Sequence, residues 1–119
     1  MAEKRQVDKE YIFATTLTPG LTARMTVASE VTGRIRQITR HWPDGADALV
    51  DIAFGKEDMP LCPSTRGTYV ALNDATPRVY LTTEVRRDDI LWVEFRNRDA
   101  VEDHSPVVIV NLRGYEGPE

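Results

Sequence analysis

The chain has 119 residues, 41% hydrophobic and 29% charged, with a formal net charge of −4. That length suits one domain with one core, and its apolar runs of about five residues fall far short of the roughly 18 that a membrane span requires. The balance excludes wholesale disorder, and the net acidity argues against nucleic acid as a main partner.

Residues 1–9 are predicted to be a flexible charged leader without periodicity; Met1, Ala2, Glu3, Lys4, Arg5 and Gln6 open in charge rather than in the apolar stretch of a signal peptide. A single domain is expected over 10–114, followed by a flexible tail at 115–119. Tyr11, Phe13 and Thr15 alternate with Ile12, Ala14 and Thr16 as a first strand, ended by Thr18, Pro19 and Gly20. Leu21, Ala23, Met25 and Val27 share one side of a second strand.

The third strand runs from Val31 to Trp42. Its apolar side changes between Ile35 and Ile38, which strict alternation would put on opposite faces, so a bulge or twist is expected near Arg36 and Gln37. Pro43, Asp44 and Gly45 close it with strong turn chemistry. Ala48, Val50, Ile52 and Phe54 then form a clean half-buried pattern with Asp51 opposite. Met59, Leu61 and Cys62, broken by Pro60 and Pro63, read as an edge strand or an apolar loop. A turn over 64–67 leads to a short strand over 68–72, and another strand holds Val79 and Leu81.

The last third reads as two apolar strands, 90–95 and 107–112, joined by a polar stretch of about ten residues, long enough to cross the end of a sandwich. Leu91, Val93 and Phe95 alternate with Trp92, Glu94 and Arg96, so Trp92 is expected on the outside. The sum is about eight short strands and no helix, as an antiparallel sandwich, jelly roll or small barrel requires.

No pattern of residues points to catalysis. Ser29, Ser64 and Ser105 lack a glycine-framed elbow, and no glycine-rich segment links a strand to a helix. His41 and His104 have no spacing that makes them converge on a metal. Asp99, Glu102, Asp103 and His104, even joined by Asp44 and Asp47, match no established calcium loop. The lone Cys62 excludes an internal disulfide and reads as a small packed residue. The expected protein is not an enzyme and uses no cofactor.

Interface chemistry is better represented. Arg34, Arg36 and Arg40 fall at even positions of one strand, where their planar donor forks suit carboxylates across an interface. Trp92, with Asp99, Glu102, Asp103 and His104 of the connecting loop, completes the interface candidates. An alternative makes Trp42, Tyr69 and Trp92 stacking platforms for a sugar, as in a carbohydrate-binding module of a fibre or secreted protein.

Several segments carry a resemblance over residues 31–112: Gly33-Arg34-Ile35, Ile38 through Gly45, Ala48 through Gly55, Thr68 through Ala75, Leu91 through Asn97, and Asp103-His104-Ser105 before Val107 through Val110. Together they resemble the small jelly-roll structural domains of tailed phages and related viruses. The resemblance implies an all-β, antiparallel β-sandwich of jelly-roll type with about eight strands. It further implies a virion protein, a capsid decoration or stabilising component, that forms a homo-oligomer, a trimer, on a major capsid or other virion protein. No nucleic acid or membrane partner is implied. His104 and Asn97 would then have structural roles at the ends of the last two strands.

Overall fold

The computed structural model describes residues 5–64 and 69–116. It contains eight strands: β1 (Arg5–Ala14), β2 (Thr22–Ala28), β3 (Thr32–His41), β4 (Val50–Lys56), β5 (Met59–Cys62), β6 (Arg78–Val85), β7 (Ile90–Asn97) and β8 (Val107–Glu116). They form two four-stranded sheets, β1-β8-β3-β6 and β2-β7-β4-β5, and every pairing within them is antiparallel. The expected all-β sandwich is therefore the fold. Each connection passes from one sheet to the other except the β4–β5 hairpin.

The inner faces supply the core. Val50, Ile52 and Phe54 of β4 lie against Leu91, Val93 and Phe95 of β7, while Ile35, Ile38, Val108 and Val110 come from the other sheet; all are fully buried. This is the alternation read from the sequence, because a strand with one buried face must place every second residue in the core. Gly20 and Gly45 take the positive φ values, 77° and 93°, that their turns require.

The bulge expected near Arg36 is present. Ile35 lies opposite Leu112 of β8 and Gln37 opposite Asn111, so Arg36 is one residue too many for its neighbour. Adding that residue returns Ile38 to the inner face beside Ile35.

Residues 5–9 are the first half of β1 rather than a frayed leader, paired residue for residue with β8. Val7 and Lys9 continue the half-buried side set by Tyr11 and Phe13. The pattern is concealed because the aliphatic stem of Lys9 stands where an apolar residue would be expected. Likewise Tyr115 belongs to β8, opposite Gln6, rather than to a tail. The strand expected over 68–72 is reduced to a bridge between Val70 and Ile52. Thr68 and most of the preceding turn, at Thr65, Arg66 and Gly67, lie outside the described residues.

Candidate functional site

The outer face of β2-β7-β4-β5 holds two of the aromatic candidates, Trp92 and Tyr69. Trp92, Glu94 and Arg96 of β7 stand between Thr26, Arg24 and Thr22 of β2 and Gly55, Ala53 and Asp51 of β4. The small residues of β4 leave room for large neighbours. The Trp92 indole lies against Gly55, where an added Cβ would come within 2.2 Å of Cζ2, and its Nε1 donates to the Glu57 carbonyl at 2.7 Å. The Arg24 guanidinium sits 4.5 Å from the indole centroid.

Trp92 is thus on the outer face, as its alternation requires, yet only 8% exposed, and its cover comes from its own chain. It is not an open interface plate or sugar platform. Tyr69 has the Arg96 guanidinium 4.5 Å from its ring centroid and donates its hydroxyl to Glu94 Oε2 at 2.8 Å. That hydrogen bond to a carboxylate, with burial, pushes the phenol pKa up. Trp42 is fully buried in the core with its Nε1 donating to the Val50 carbonyl, so it cannot stack on a ligand.

Asp51 anchors the far end of this face. Its buried carboxylate accepts from Arg96 Nε at 2.6 Å and from Arg98 Nε at 2.8 Å, and Arg98 also donates to the Ala48 carbonyl at 2.6 Å. Arg24 and Tyr69 meet on the two oxygens of Glu94. Aromatic rings and charges here are committed to one another, which gives the sheet a rigid outer surface.

The loop between β7 and β8 crosses from one sheet to the other, as its length suggested. Asn97 organises it from within: its amide Nδ2 donates to the carbonyls of Leu17, Thr18 and Glu102, and its Oδ1 accepts from the Asp99 backbone. Asp99 in turn accepts the Val101 and Glu102 backbone N–H groups and lies 2.9 Å from His104 Nε2. His104 is buried, and its backbone exchanges hydrogen bonds with Leu17. Asp99 and His104 therefore hold the loop together rather than face a partner, whereas Glu102 and Asp103 are exposed beside Val101, itself 77% exposed.

Hydrogen bonds from His104 first, and then from the backbone of Val101 and Glu102, hold the Asp99 carboxyl below its ordinary value of 3.8. A carboxyl depressed in the folded state stabilises the fold above its unfolded pKa, and that contribution is lost as pH falls through the folded value. Thermal melts of the wild type and Asp99→Asn should therefore differ fully at about pH 5 and converge as pH drops below about 4. A difference that stays constant down to about pH 2 would contradict this role.

The outer face of β1-β8-β3-β6 is more open. Arg34 and Arg113 lie directly opposite each other, and each has its own carboxylate: Glu84 at 3.2 Å from Arg34 Nη2, and Asp8 at 2.8 Å from Arg113 Nε. The Arg113 hydrogen bonds, chiefly, and the Arg36 charge lower the Asp8 pKa. The Arg36 side chain, on the bulge, makes no hydrogen bond or ion pair among the described residues and borders a shallow groove of about 500 Å³ with Asp8, Glu10, Gln37, Asn111 and Arg113. Ile12, Tyr80 and Tyr115 on this sheet are 59%, 74% and 50% exposed.

Arg40 departs from its expected place. The extra residue at Arg36 reverses the facing of the remainder of β3, so Arg40 turns inward, 8% exposed, with its guanidinium 5.4 Å from the Trp42 ring centroid. Only Arg34 and Arg36 of the three stand on the outer face.

No family model and no curated protein matches the chain. Among solved structures, it is similar to one described as a crystal structure of FLHE, at 13% identity and a TM-score of 0.44, over 93% of this chain and 98% of that one.

Proposed function

We propose that this chain is a non-enzymatic virion structural protein, a capsid decoration or stabilising component that self-associates as a closed trimer on a viral shell. The strand pairing supports the finer fold that this reading needs. In a jelly roll, a long two-stranded ribbon is wrapped around a core, so that β1 pairs with β8, β2 with β7, β3 with β6 and β4 with β5. All four pairs are present, and β3–β8 and β4–β7 are the additional contacts that wrapping creates. Jelly rolls of this kind build capsid and lectin domains.

The observation that carries the assembly reading is the separation of uncommitted charges. Arg36 and Arg78 on the outer face of β1-β8-β3-β6, and Glu102 and Asp103 on the crossing loop, form no hydrogen bond or ion pair through their side chains among the described residues. Tyr80 and Val101 stand beside them as exposed apolar groups. The exposed Arg36, Arg78 and Tyr80 on one part of the molecule and the acidic loop on another are complementary between copies, and such a head-to-tail contact forms a ring where the rotation between copies closes.

The sugar-binding reading loses both tryptophans, because Trp42 is in the core and Trp92 is covered by Arg24 and Gly55, and the ring of its third platform, Tyr69, already carries the Arg96 guanidinium. Sedimentation velocity tests the contact directly. Arg36→Glu should weaken self-association about tenfold and Glu102→Arg by a similar factor, while the double reversal should recover part of the loss. Single reversals without effect on the mass distribution would refute the contact.

A further inference from the structure

Arg40 is the least satisfied charged group among the described residues. Its side chain is more than nine-tenths buried, stacked near Trp42, and makes no hydrogen bond or ion pair. Nε is wholly enclosed and has no partner, whereas Nη1 and Nη2, equally without hydrogen bonds, keep some contact with solvent. Among the described residues Arg40 acts electrostatically on the Cys62 thiol, whose pKa burial pushes up more than Arg40 lowers it, so the thiol stays neutral and offers no counter-charge.

A buried cation without an anion is the costly half of an ion pair, and an apolar side chain of similar length would fill the same space without stranding Nε. Local rules of this kind are broken where a residue has work to do. We propose that Arg40 is an oxyanion receptor whose Nη1–Nη2 edge takes two oxygens of one ligand, either free phosphate or a carboxylate from a second copy of the chain. Trp42 lies against the guanidinium, its ring centroid 5.4 Å from Cζ, and restricts its movement before the anion arrives. This site is separate from the outer face proposed above and does not rest on the trimer.

Thermal melts of the wild type, Arg40→Met and Arg40→Lys test it, with sodium phosphate compared against sodium chloride at matched ionic strength. If phosphate is the ligand, the wild-type midpoint rises with the logarithm of phosphate concentration above Kd, by about 5 °C at tenfold excess. Arg40→Met then shows no phosphate-specific rise and melts no lower than the anion-free wild type, and Arg40→Lys keeps a reduced response. If the anion is a carboxylate of a second copy, phosphate has no specific effect, but the wild-type midpoint rises between about 5 and about 500 μM protein by clearly more than that of Arg40→Met, which keeps only the rise due to the outer-face contact. Should Arg40→Met fail to fold, the Arg40 side-chain N–H resonances of the wild type take its place and must shift saturably with phosphate or with protein concentration. Neither response in the wild type, or the same response in Arg40→Met, overturns the proposal.

Discussion

Gly33→Ala is expected to destabilise the protein by about 3 kcal/mol or more, the upper end of what overpacking costs. Gly33 of β3 lies directly opposite Gly114 of β8 at the centre of the β1-β8-β3-β6 sheet. A Cβ at Gly33 would stand 2.1 Å from the Arg113 carbonyl oxygen and 2.4 Å from the Gly114 Cα. Those are backbone atoms, so no rotamer change relieves the clash and the two strands must part. Urea unfolding should show a lower midpoint with an unchanged slope. A loss below about 0.5 kcal/mol would mean that β3 and β8 do not approach so closely.

The second large effect is expected at Asn97. Replacement by Ala removes the donor shared by the Leu17, Thr18 and Glu102 carbonyls and the acceptor of the Asp99 N–H, and should cost about 2–4 kcal/mol. Asn97→Asp, nearly identical in shape, turns the donor into an acceptor facing three carbonyls and should cost more than Ala. Equilibrium unfolding of the two variants separates these accounts: if Asp is the milder change, the amide is not the organiser of the crossing. Because the loop is pinned to the segment after β1, both substitutions should also speed amide exchange at Leu17 and His104, whose backbones bond to each other.

The alternation over Val50, Ile52 and Phe54, and over Leu91, Val93 and Phe95, was legible because both strands bury one face in a single core. The bulge was legible too, since Ile35 and Ile38 could not otherwise both be buried. Its consequence for the arginines was not visible in their spacing. Arg34, Arg36 and Arg40 share a parity, but parity defines a face only in an unbroken strand, and the inserted residue sends Arg40 inward.

Trp92 presents the complementary case. Its outward direction follows from period two, but its cover depends on Gly55 lying opposite and on Arg24 crossing from β2, both consequences of strand order rather than local pattern. The same holds for Asp51, whose arginine partners arrive from β7 and the loop after it, 45 and 47 residues away in sequence. The charged loop from Arg98 to Pro106 offered the richest residue chemistry, yet Asp99 and His104 serve the crossing itself. Glu102, Asp103 and Val101 of the same loop stay exposed.

Self-association is the claim on which the functional account depends. Size-exclusion chromatography coupled to multi-angle light scattering, across a dilution series reaching high micromolar chain concentration, measures it without assumptions about shape. The account predicts three times the mass of one chain, falling towards one on dilution or on reversal of Arg36. A single-chain mass at every concentration would contradict it.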